Sequence, residues 1–129
     1  MNEPRDQLDV RHWLELRPRP PDSLCESMQF GIVAVAGTPL PPADAWEGTG
    51  PTAGRVALVL AAAALNRLEA ALRSGESRDG ALDLLAADAL ITYACEAAAE
   101  AGPAALATLV QEFGLHRLAD MLQPEAAGS

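Results

Sequence analysis

The chain contains no lysine. All nine of its positive charges are arginines, set against eighteen carboxylates, for a net charge of −9 over 129 residues. So few cations cannot form a sustained basic stripe, which makes phosphate backbones and anionic membrane surfaces poor partners. Aromatics are nearly as scarce, with only Trp13, Phe30, Trp46, Tyr93 and Phe113. β-Branched strand formers are few too, which argues against an all-β fold and against the Val/Ile-rich strands of a parallel α/β sheet. The two cysteines, Cys25 and Cys95, are far apart and form no CxxC pair. They read as small core hydrophobes of a reduced, cytoplasmic protein. The polar start MNEPRDQLD carries no secretory signal. The longest apolar run, residues 56–65, is half the ~20 residues a bilayer span needs. Missing lysine beside abundant Ala and Arg fits a high-GC bacterial coding sequence.

Alanine and leucine are abundant, at 27 and 19 residues. Ala is the best helix former and buries little area. The expected fold is all-α: a small helical bundle built on a long antiparallel helical hairpin, with a Pro/Gly-rich loop in the N-terminal half. The expected organisation is an arm over residues 1–36 with two short helices, a linker over 37–54, a helical core over 55–123 and a disordered tail over 124–129.

Within the arm, residues 5–17 carry Val10, Trp13, Leu14 and Arg17 on one side, a weak amphipathic signal that needs tertiary contact to persist. The prolines from Pro18 onward stop that helix. A second helix starts after Pro21, capped by Asp22 or Ser23, with Leu24, Met28, Ile32 and Val35 in one stripe. A strand over residues 30–36 is the rival reading, but the run does not alternate. The linker holds Trp46, a side chain of the kind that pins a loop to a groove. A third helix spans about 52–74, closed by Gly75, with Leu58, Ala61, Leu65, Leu68 and Leu72 on its apolar face. Ser77 caps a fourth over about 78–100.

That fourth helix has Leu82, Leu85, Ala86, Ala89, Tyr93 and Ala97 on one face and Leu84, Ala87, Ile91, Ala94 and Cys95 on the other. A helix apolar on most sides is buried on most sides, so it should be the centre of the bundle or face a second subunit. A charge at Leu85 should then abolish folding or assembly. Gly102 and Pro103 separate it from a fifth helix with Leu106, Leu109, Val110 and Phe113 on one face. After a break at Gly114, Leu115, Leu118 and Leu122 share a different face.

Few constellations suggest chemistry. The glycines of residues 48–54 lack the preceding strand and the lysine of a phosphate loop. Glu112, His116 and Asp120 are spaced to line one side of a helix, a weak metal-site pattern with no further ligand. His12 has no acidic or Cys partner nearby. Asp88, with Thr92 one turn on, would need a partner if buried, such as Arg55, Arg67 or Arg73. Glu96 and Glu100 read as the wet end of the fourth helix. Cys25 with His116, or Cys95 with His12, are formal nucleophile–base pairs that nothing recommends.

The stretch 84–97 resembles a helix of the polyprenyl diphosphate synthases. It has Ala87 where that family tends to have Gly, and the chain carries no DDxxD motif. No residue is carried over, and the likeness reads as shared Ala/Leu packing. No cofactor is implied. The expected role is non-enzymatic protein–protein interaction or self-assembly, with a protein partner or a second copy, and with Trp13, Trp46, Asp88 and Tyr93 as binding residues. The alternative is a small-molecule binder or enzyme with an apolar pocket between helices, using Asp88, Tyr93 and an arginine of the third helix.

Overall fold

The computed structural model describes residues 5–36 and 51–113, which form five α-helices with no strand among them. These are α1 (Arg5–Glu15), α2 (Asp22–Ala34), α3 (Pro51–Ser74), α4 (Arg78–Ala101) and α5 (Pro103–Phe113). The helices pack against one another as a bundle around one hydrophobic core.

The tertiary contact that α1 needs comes from Val10 and Trp13, both buried in that core. Gln7 is buried as well. Its Nε2 donates to the Ile32 carbonyl at 2.9 Å and so satisfies an acceptor in the last turn of α2. The prolines after Arg17 hold the link to α2 extended. The N-cap of α2 is Pro21, with ψ 150° and no side-chain cap. Asp22 is instead the first helical residue, where its charge suits the positive helix end. The helix runs through Phe30 to Ala34, so the strand alternative fails. Met28, Ile32 and Val35 of the expected stripe are buried, and Leu24 packs beside them. At Gly31 a Cβ would stand 3.0 Å from the Ala63 carbonyl oxygen and 3.0 Å from Arg67 Cγ. A side chain there would hold α2 away from α3.

The central helix is α3. It takes in residues 51–54, expected in the linker, with Pro51 at its first position, where a missing N–H costs nothing. Residues 56–61 are all exposed by 2% or less, so this stretch is covered on every side. It packs against each of the other four helices. The fourth helix was expected either in this place or against a second subunit, and α4 does not hold the central place. Its buried positions are mostly alanines along one side, while Leu84 and Leu85 are 53% and 57% exposed. The physical reason is the distribution of bulk. The uninterrupted apolar run lies in α3, and the small side of α4 lets the two helices approach closely. Their pairing is the most extensive in the fold. Cys95 is exposed on α4, against expectation, whereas the half-buried Cys25 donates its thiol to the Pro20 carbonyl at 3.2 Å.

A three-residue link joins α3 to α4. Gly75 takes φ +63°, a left-handed conformation that ends α3. Ser77 Oγ accepts from the Gly80 N–H at 2.9 Å, the expected cap. At the other end of α4, Gly102 has φ +120° and its N–H bonds to the Ala98 carbonyl at 3.0 Å. Pro103 then opens α5. Ala105 and Leu109 enter the core, but Leu106 and Val110 of the expected apolar face are exposed. Residues 37–50 and 114–129, with Trp46, most of the Pro/Gly linker, the break at Gly114 and the tail, lie outside the described residues.

Candidate functional site

Among the described residues, two polar clusters and two recesses stand out. The first cluster ties the end of α1 to the end of α4. Trp13 and Tyr93 meet edge to face, with ring centroids 6.0 Å apart and planes at 81°. Trp13 Nε1 donates to Glu100 Oε1 at 3.1 Å. The Arg17 guanidinium lies 3.2 Å over the Trp13 ring. Arg17 also pairs with Glu100 and donates from Nε to Glu96 Oε2 at 3.3 Å. Glu96 and Glu100 are therefore not simply a wet helix end. They hold the arginine that covers the tryptophan.

The second cluster is more deeply buried. Arg67 of α3 is 7% exposed, and its Nη1 lies 3.1 Å from Asp83 Oδ1 on α4. The same carboxylate oxygen accepts from Ser27 Oγ on α2 at 2.8 Å. Asn66 Oδ1 accepts from Arg67 Nη2 at 2.7 Å and from Nε at 3.0 Å. The Phe30 ring covers the guanidinium at 4.6 Å. Every charge here is answered, so the cluster clamps three helices and leaves no group free for chemistry. Arg67 was one candidate partner for Asp88, but Asp83 takes it.

The first recess is a groove of about 490 Å³ between α3 and α4. Leu65 and Leu68 line one wall, Leu84, Leu85 and Ile91 the other, and alanines the floor. Asp88 is the one charged residue in this lining. It is exposed and makes no ion pair among the described residues, while its backbone carbonyl accepts from Thr92 Oγ1 at 2.9 Å. Leu72, one turn beyond Leu68, is also 49% exposed.

The second recess, of about 820 Å³, lies between α1 and α2. Leu14, Met28, Ile32 and Tyr93 give it an apolar surface, and Arg17, Arg19 and Glu26 a charged one. Arg19 pairs with Asp22 at 3.4 Å.

The structure thus brings Trp13 and Tyr93 together but places Asp88 in a different recess, and Trp46 lies outside the described residues. Among the described residues no three His, Cys, Asp or Glu side chains cluster as metal ligands. The side chains of Glu112, His116 and Asp120 are not among those described. Reading the sequence missed the clamp at Arg67 and Asp83, because residues on three helices are not linked by any spacing. Arg17 left a trace, since it shares a side with Val10 and Trp13. No family model matches the chain, and no curated protein or solved structure matches it.

Proposed function

We propose that this chain is a non-enzymatic interaction protein that receives an amphipathic helix of a partner protein in the groove between α3 and α4. The observation that carries this reading is the solvent exposure of Leu84 and Leu85 beside Leu65 and Leu68. Large apolar groups in a continuous groove mark a binding surface more often than scattered exposed leucines do. The frame is the long antiparallel hairpin that we read into α3 and α4. Their short link and the meeting of Arg67 with Asp83, sixteen residues on, support that reading. On α4, Leu84, Asp88, Ile91 and Cys95 recur at steps of four, three and four, as do Ala61, Leu65, Leu68 and Leu72 on α3. Such stripes accept a helix whose own apolar residues repeat in the same way. Asp88, the lone charge of the lining, selects a partner helix bearing a cation.

The test is fluorescence anisotropy with a labelled synthetic helix that has leucines three and four apart and one arginine. Saturable binding that Leu85→Asp abolishes and Leu106→Asp leaves intact supports the reading. Equal binding by all three proteins overturns it.

The α1–α2 recess supports a second reading, as a small-molecule site. Its volume lies within the few hundred to about 1,000 Å³ common for ligand pockets. A ligand there would change Trp13 fluorescence through Tyr93, whereas a helix in the α3–α4 groove would not.

A further inference from the structure

The groove between α3 and α4 has a candidate occupant within the same chain. Residues 114–123 read GLHRLADMLQ, with Leu115, Leu118 and Leu122 at steps of three and four. On a helix these form one stripe. From Leu115 to Leu122 is seven residues, a rise of about 10 Å. The groove runs from Leu84 to Ile91 on α4, again seven residues and about 10 Å. Stripe and groove therefore match in length and in the chemistry of their surfaces.

The point of departure suits this too. The described chain ends at Phe113, the last residue of α5. With Ala105 and Leu109 both in the core, α5 lies against α4 and α3 and does not project from them. A segment starting at residue 114 therefore leaves from a helix that packs on both of the helices that form the groove.

Charge favours the segment over a second copy of the chain. Two chains of net charge −9, meeting on faces that each carry Asp88, bring like charges together. Residues 114–123 hold one arginine, Arg117, against one carboxylate, Asp120, and Arg117 is the sole cation after Arg78. Tethering adds a larger factor. A short link gives a local concentration on the order of millimolar, about a thousandfold above a micromolar partner.

We propose that residues 114–123 dock in the α3–α4 groove of their own chain, with Leu115, Leu118 and Leu122 against Leu65, Leu68, Leu84 and Ile91, and that a partner helix must displace them. This rests on the groove being the binding surface. The experiment uses the full chain with Cys25→Ser, Cys95→Ser and Asp120→Cys, a nitroxide on the new thiol, and methyl-labelled Leu and Ile. Broadening of the Leu84, Leu85 and Ile91 methyl signals, kept on dilution and lost with Leu118→Asp, is the expected result. No broadening there overturns the proposal. So does broadening that appears only between spin-labelled and isotope-labelled chains mixed together, which would put a second copy in the groove. In the anisotropy assay, Leu118→Asp in the full chain should tighten binding of the synthetic helix at least about tenfold. If the helix binds the wild type and Leu118→Asp equally, the groove reading stands and self-docking falls. If neither protein binds it, the groove reading itself falls.

Discussion

At the scale of single residues, the bundle depends on a few side chains whose roles are unequal. Arg67 is buried against Asp83, and removing one member leaves an uncompensated charge. Arg67→Met should therefore cost about 3 kcal/mol in urea unfolding. Adding Asp83→Leu to it should recover most of that loss, because the second change removes the stranded carboxylate. Trp13→Ala should cost about 3–5 kcal/mol by the same measurement, since the ring fills a core position and also anchors Arg17 and Glu100. Gly80 sets two effects against each other. Alanine there gains about 1 kcal/mol of helix propensity. However, its Cβ would lie 2.5 Å from the Gly75 carbonyl oxygen. That contact is with backbone at a tight turn, so strain wins, and Gly80→Ala should lower the thermal midpoint. Of these features the sequence showed the bulk of Trp13 and, on the same side of the helix, a trace of Arg17. The Arg67 clamp arises from residues on α2, α3 and α4 that meet only after the helices pack.

At the scale of elements, helix positions were largely legible and helix roles were not. The end of α3 at Gly75 follows from local chemistry, as do the start of α4 after Ser77 and the break at Gly102 and Pro103. Which helix lies at the centre does not. Two opposed apolar faces on α4 suggest full burial, yet leucines at adjacent positions such as Leu84 and Leu85 point about 100° apart. The better signal was the unbroken apolar run of residues 56–65, which leaves α3 no polar side over that stretch. The difference has a measurable consequence. Leu58→Ala should cost about 2–5 kcal/mol as a core truncation. Leu85→Ala, at a position more than half exposed and outside the contacts proposed for residues 114–123, should change stability by about 0.5 kcal/mol or less. Equal losses in urea unfolding would mean that α4 is wrapped as closely as α3. By the same logic Leu85→Asp should fold with a near-native melting temperature, contrary to what a buried position would require.

For the molecule as a whole, the composition excluded more than it specified. The scarcity of strand formers is consistent with the all-helical architecture, and among the described residues no helix is long and apolar enough to cross a membrane. The pairing of Trp13 with Tyr93 and the separate position of Asp88 were not legible, because both depend on how α1 and α4 rotate in the bundle. What distinguishes the assembled molecule is that its core is complete without Leu84 and Leu85. These side chains border the groove that we propose as the recognition surface, which a partner helix enters by displacing residues 114–123. Methyl NMR of the full chain, titrated with the synthetic leucine-striped helix, tests this most directly. The account predicts shifts at Leu68, Leu84, Leu85 and Ile91 with none at Met28 and Ile32; shifts confined to Leu14, Met28 and Ile32 would place recognition in the α1–α2 recess and contradict it.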